Sequence, residues 1–330
     1  MSKPPPPKAW ATSAAAKVWP CRRWCWWIQI AREVLRELYP VIPAQAGIRE
    51  NSNPWVPASA GVTHKFRTSR TSENALLTKI EHGNGITELR LAHPPANALN
   101  PALVQALHQA VESASRSGTR ALILSGAEGM FSAGLDVPEL LKLDAAAMSA
   151  FWKKFIDLLR VIAQSPVPIA AALTGHSPAG GAVLAIFCDT RIAAEGDFKI
   201  GLNEVQVGLP VPAVIYAALK RLVGVRQAER LCLHGLLISP DGALRIGLVD
   251  QVLPMEQVTP AALEWCCSLL ALPQQAVAAT RKLARADLVG LFDELGERSH
   301  EELMNVWFSA ETQAAMRAMV AQLAARKASR

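Results

Sequence analysis

The pattern of apolar and polar positions changes character near residue 76. Residues 1–75 sustain neither a period of 2 nor one of 3.6: their apolar patch Trp24-Cys25-Trp26-Trp27-Ile28-Gln29-Ile30 is broken, and Pro40, Pro43, Pro54 and Pro57 interrupt the chain beyond residues 31–38, the one amphipathic helical stretch. From Leu77 the texture is that of an α/β domain. Leu77-Thr78-Lys79-Ile80-Glu81 and residues 86–91 predict a β-hairpin, with Gly83 and Gly85 flanking a turn that favours positive φ. Asn100 followed by Pro101 is an N-cap and first-turn pair for a helix over 102–114.

Residues 120–125 and 168–174 are short apolar runs suited to strands buried on both faces, and each delivers the chain into a glycine-bearing turn. Between them, Phe151, Phe155, Leu158, Leu159 and Ile162 recur at spacings of three and four. They predict an amphipathic helix over 143–164 whose stripe is core rather than a ligand surface, stopped by Ser165-Pro166-Val167-Pro168. A buried helix over 182–187 and a strand over 191–194 repeat the unit. Helices come next over 211–223 and 226–233, then one opened by Ser239-Pro240-Asp241 and stopped by Gly247 ahead of residues 248–252, and nearly continuous helix from Pro260. The recurrence of strand, turn and helix predicts an α/β fold of stacked repeats over 76–258 with a C-terminal helical region over 259–330.

Charge distribution narrows the partners. The net charge is +6, but residues 1–75 carry eleven Lys/Arg against four Asp/Glu, which leaves 23 basic and 24 acidic residues for 76–330. A near-neutral folded part argues against nucleic acid, and no apolar run is long enough to span a bilayer. Six cysteines at spacings that match no zinc pattern point to reduced thiols, not to a metal or a disulfide framework. The head also holds six of nine tryptophans and an approximate repeat, residues 41–48 and 55–62. It reads as peptide translated from a dispersed bacterial DNA repeat upstream of a start near Leu76 or Leu77. The competing reading is an organelle transit peptide, since the head is basic and poor in acids.

Chemistry concentrates in three places. Glu204 ends a short apolar segment and precedes Val205, Val207 and Leu209, a setting in which desolvation raises a carboxyl pKa toward that of a working base. The turns Phe131-Ser132-Ala133-Gly134-Leu135-Asp136 and Ser177-Pro178-Ala179-Gly180-Gly181 can each aim a backbone N–H at one point, as the stabilisation of an enolate oxygen requires. Each turn also has a plain reading as tight helix–strand packing. Asp136 suits an N-cap for a helix starting at Val137-Pro138, and Asn203 suits local backbone hydrogen bonding as well as substrate positioning.

At these residues the sequence resembles the crotonase (enoyl-CoA hydratase/isomerase) superfamily, and within it the Δ3,Δ2-enoyl-CoA isomerases, whose FSAGLD, PAGG and IGLNE segments recur here in order. The resemblance implies a crotonase-like spiral of stacked β-β-α repeats and a C-terminal helical region that supports a homotrimer or dimer of trimers. It implies an acyl-CoA thioester substrate whose CoA lies along the segment before the first helix, with Ala96, Ala98, Ala133, Gly134, Asp136 and Asn203 on the substrate side and no separate cofactor. The N–H groups of Leu135 and Gly180 would bind the thioester oxygen, and Glu204 would move the proton. A hydratase of this superfamily has a second glutamate at the position that Val183 occupies here, so the resemblance favours double-bond isomerisation in fatty-acid β-oxidation. Other crotonase-type enzymes, a hydratase or an acyl-CoA hydrolase, and a non-catalytic acyl-CoA- or RNA-binding module are the alternatives. A bacterial cytoplasmic location accords with the first reading of the head, and a mitochondrial matrix location with the second.

Overall fold

The computed structural model describes residues 76–328. The head, with its repeat, its helical stretch, Cys21 and Cys25, lies outside the described residues.

The hairpin forms from β1 (Leu77–His82) and β2 (Ile86–Leu91), paired antiparallel with Leu77 opposite Leu91. Positive φ falls on Asn84 and Gly85, not on Gly83, so the Asn-Gly pair makes the turn. Helix α1 (Pro101–Ala114) is capped by Asn100, whose side chain accepts from the Leu103 N–H. Beyond it come β3 (Ala121–Ser125), β4 (Gly129–Met130), α2 (Val137–Leu140) and α3 (Ala145–Gln164). Next are β5 (Ile169–Leu173), β6 (Gly175–Pro178), α4 (Gly180–Ile186), β7 (Thr190–Ala194) and β8 (Ile200–Gly201).

Each repeat therefore places one strand in a six-stranded sheet, ordered β1-β2-β3-β5-β7-β9, steps to a three-stranded sheet, β4-β6-β8, and leaves by a helix or helical turn. Apart from the hairpin, all pairings within these sheets are parallel. The fold is thus the α/β stack of β-β-α repeats that the family resemblance implied, and its consequence is positional. The carboxyl ends of β3, β5 and β7 hand the chain to turns that gather on one side of the main sheet, where open α/β sheets hold ligands.

A 3-10 turn (Glu204–Val207) leads to α5 (Ala213–His234), one element where two helices were expected, bent at Gly224 with φ +77°. After it come α6 (Pro240–Arg245), β9 (Gln251–Leu253), α7 (Met255–Leu270), α8 (Gln274–Ala284), α9 (Ala286–Trp307) and α10 (Ala310–Ala328). The expected boundary at 258/259 falls inside α7. That helix begins at Met255, carries Pro260 within it, and packs Val258, Ala262 and Cys266 against Ile123, Ala170, Ala172 and Ile192 of the main sheet. Alanines on β5 leave room for this approach, so α7 belongs with the sheet.

The other face of the sheet meets α1, α3 and α4 in a large core. Six of the side chains α3 buries there are Phe151, Trp152, Phe155, Leu158, Leu159 and Ile162. At about 1.5–3 kcal/mol for each fully buried large side chain, packing outweighs the few tenths by which helix propensities differ. The C-terminal helices are tied back to the core. Arg281 and Arg285 both donate to the Asp189 carboxylate, at 2.8 and 3.0 Å, and α9 packs on α3 and α5.

Candidate active site

The first glycine turn is locked by its neighbours. Leu99 N–H donates to the Gly134 carbonyl (2.7 Å) and Asp136 N–H donates to the Leu99 carbonyl (3.1 Å). Leu135 sits between these two rungs, so its own N–H points to the opposite side, and no acceptor engages it among the described residues. Ser132, fully buried, donates through Oγ to the Asn97 carbonyl (2.8 Å) and accepts from Gly134 N–H (3.2 Å).

The second turn is strained. Ala179 has φ +46° and ψ −120°, a region that glycine normally occupies and that costs a residue with a Cβ on the order of 1–3 kcal/mol. Its N–H donates to the Gly201 carbonyl of β8 and its carbonyl accepts from Val183 N–H. This directs the chain into α4 with Gly180 at the first helical position, where a backbone N–H has no intrahelical partner. The two turns touch. A Cβ on Gly134 (φ +87°) would lie 2.9 Å from Gly180 N, so that position requires glycine, and one on Gly180 would lie 3.1 Å from Gly134 Cα, a tight fit.

Leu135, Gly180 and Glu204 line one small apolar cavity of about 20 Å³, together with Val183. Glu204 opens its 3-10 turn and is half-buried as a residue, but its carboxyl end is turned inward, with Oε2 closed off from solvent and unpartnered. Burial pushes its pKa up from 4.5 to about 7. That is the range in which one carboxyl can both take and return a proton at neutral pH. The two carboxylates that precede it in the chain, Glu195 and Asp197, do not compete, because both are exposed and Asp197 is paired with Lys199 at 2.6 Å.

Other expected site residues behave differently. Asp136 caps α2, accepting from Glu139 N–H at 3.2 Å, so its carboxylate is already engaged. Ala96 ties its loop to the first turn by accepting from Ala133 N–H (2.9 Å), and the Ala98 carbonyl accepts from Asn100 N–H and contacts His93 Nδ1; none of these three alanines lines the cavity. Asn203 Nδ2 reaches Gln206 Oε1 at 3.4 Å, while its Oδ1 is buried and unpartnered.

Two features escaped sequence reasoning. Phe155, read as core, and Trp152, which the predicted stripe did not name, form a wall of the cavity, and Trp307 backs Trp152 edge-on with ring centroids 6.0 Å apart. Leu303 closes the cavity from α9, a contribution with no local sequence signal.

A carboxyl that titrates near neutrality, facing two unengaged backbone donors across an apolar cavity, is an acid–base site for a substrate that develops negative charge on oxygen. The sequence profile of the enoyl-CoA hydratase/isomerase family matches residues 81–322, and the chain belongs to that family. It is 34% identical over 219 residues to human enoyl-CoA delta isomerase 1, mitochondrial, covering 66% of this chain and 72% of that protein. It is 32% identical over 198 residues to the probable enoyl-CoA hydratase echA17 of Mycobacterium avium, covering 60% and 77%. The crystal structure of human mitochondrial Δ3-Δ2-enoyl-CoA isomerase superposes with a TM-score of 0.73 at 30% identity, over 77% of this chain and all of that one. Relatives named for isomerisation and for hydration stand at nearly equal identity, so the choice between the two reactions falls to the site. Among the described residues, no helix is long and apolar enough to cross a membrane.

Proposed function

We propose that this enzyme is an enoyl-CoA isomerase of fatty-acid β-oxidation, moving the double bond of a 3-enoyl-CoA into conjugation with the thioester as 2-trans-enoyl-CoA. The observation that carries this reading is the composition of the cavity. Glu204 is the one carboxylate lining it among the described residues, and Val183, the position at which the family resemblance puts a hydratase's second glutamate, lines it as an apolar side chain.

In this reading Glu204 removes a proton from the α carbon, and the C–H electron pair spreads through the C3=C4 bond into a dienolate. The Leu135 and Gly180 N–H groups receive the negative oxygen, each donor worth about 3 kcal/mol at the transition state. The protonated Glu204 then returns the same proton to the γ carbon, leaving C2=C3. No cofactor is consumed, because CoA is part of the substrate, and it runs along the loop ahead of α1 with Ala96, Ala98, Ala133 and Gly134 beside it. Burial of Glu204 supports the double role, since a carboxyl with a pKa about 7 takes a proton from carbon more readily than one at 4.5.

Assembly as a homotrimer or dimer of trimers belongs to this reading. The open apolar groove between α7 and α8, lined by Trp265, Leu269, Leu272 and Val277, supports it. A cytoplasmic location in a bacterium belongs to it as well, with the mitochondrial matrix as the alternative. The test of the activity is direct: mixed with a 3-enoyl-CoA, the protein should generate the ultraviolet absorbance of the conjugated thioester. No change on any 3-enoyl chain length would remove the proposal.

A further inference from the structure

The turn that carries Glu204 is weakly anchored by packing. None of the residues Glu204–Val207 is buried, and Val205 is 40% exposed. Its shape is set internally: Gly208 N–H donates to the Val205 carbonyl (3.2 Å) and Leu209 N–H to the Glu204 carbonyl (3.1 Å), with Gly208 in the left-handed region at φ +75°. These bonds shape the turn but do not fix where it points.

Two contacts from outside do. Just past the end of α5, the Gly235 carbonyl accepts from Gln206 Nε2 at 3.0 Å. From α10, Thr312 Oγ1 donates to the Gly208 carbonyl at 2.7 Å, more than a hundred residues away in the chain. Thr312 is 1% exposed, and its hydroxyl is itself oriented: Ser309 Oγ donates to Thr312 Oγ1 at 3.0 Å, which leaves the threonine proton free for Gly208. The seat is close as well, since a Cβ on Gly208 would lie 3.1 Å from Thr312 Cα. A buried, preoriented hydroxyl on a carbonyl four residues past the base is a short lever on the carboxyl.

We propose that Thr312 is a positioning residue for Glu204, its hydroxyl fixing the turn so that the carboxyl stays aimed into the cavity and closed to water. The inference rests on the reading of Glu204 as the base. Thr312 touches neither the cavity nor the reacting atoms; it acts through Gly208 and Leu209, and Leu209 does line the cavity. The charged neighbours on the packed elements do not complicate the readout. Cys232 of α5 is pushed up to about 11 by burial and, after that, by the Glu204 charge, so it is neutral at working pH. His234 and Arg230 of α5 and Glu311 and Arg317 of α10 are exposed.

The experiment compares full-length wild type, Thr312→Val and Thr312→Ser in the 3-enoyl-CoA assay across pH, with thermal melts alongside. A shift of the turn by an ångström is enough for a loss of ~10-fold or more in kcat. Thr312→Val should therefore lose about tenfold in kcat with KM within about twofold. The acid limb of its pH profile should move down toward the ordinary carboxylate range as water reaches Glu204, and Thr312→Ser should restore both. A Thr312→Val enzyme that melts lower but keeps the wild-type kcat and acid limb would overturn the proposal and leave a merely structural bond. If valine is not tolerated, Thr312→Ala poses the same question. A wild type without isomerase activity would instead refute the reading of Glu204, and the two failures are distinguishable.

Discussion

Replacing Glu204 by glutamine separates what the carboxyl does for turnover from what its burial costs the fold. The amide has nearly the same shape but cannot take up a proton, so kcat should fall by ~10²-fold or more, the usual contribution of a positioned general base, or at least about 2.7 kcal/mol in the barrier. The fold should respond in the opposite direction. Burial raises the Glu204 pKa from 4.5 to about 7, so the folded protein holds this proton more tightly than the unfolded chain does. The associated stability is present in full below pH 4.5 and is lost as pH rises through 7. At about 1.36 kcal/mol per pKa unit, this is a loss of about 3 kcal/mol at most, less where water reaches the second oxygen. Glutamine has no such dependence. Denaturant unfolding at pH 5 and pH 8 should therefore show the variant gaining on wild type by roughly 2–3 kcal/mol between the two pH values. Turnover within a few-fold of wild type would refute the assignment of the base, and a stability difference that is flat with pH would refute the burial argument.

The same geometry sets three more outcomes. The kcat/KM of wild type should rise through an acid limb near pH 7, where the buried carboxyl loses its proton, and a limb near 4.5 would mean that the carboxyl is hydrated. Gly134→Ala should cost on the order of 1–3 kcal/mol of stability and ~10²-fold in kcat, because its Cβ would press on the donor nitrogen of Gly180 at 2.9 Å; wild-type turnover would show that the two turns do not share a site. Val183→Glu should raise hydration of 2-enoyl-CoA measurably while lowering the melting temperature, since the new carboxylate enters a position now 1% exposed.

Much of this architecture was legible because the signals were local. The Asn100–Pro101 cap, the stripe of α3 and the buried runs of β3 and β5 depend on neighbours within a turn or a strand, and Asp136 reads as a cap from Asp-Val-Pro-Glu alone. The two glycine turns and Glu204 were identified through a family resemblance, and burial of the carboxyl could be argued from the valines around it. The hidden part was tertiary. Trp152 and Phe155 obey the same period whether they face core or cavity. Leu303 lines the cavity, and Thr312 bonds the Glu204 turn, from about a hundred residues beyond Glu204, and no periodicity encodes that. Ala179 adopts positive φ against its own propensity, so only the neighbouring Gly180-Gly181 hinted at a turn there. Pro260 reads as a helix start, but sits inside α7 because the helix is already held to the sheet by Val258, Ala262 and Cys266.

The central claim is that a single glutamate with its carboxyl turned away from solvent, with valine where a second acid would stand, moves a double bond rather than adding water across it. The most direct test is the ratio of two rates on one chain length: conversion of 3-enoyl-CoA to 2-enoyl-CoA, and hydration of that 2-enoyl-CoA. Without a second carboxylate to hold and activate water, hydration should lose roughly 2–4 kcal/mol of general acid–base assistance, so isomerisation should lead by about 30-fold or more. Equal rates, or faster hydration, would contradict the account.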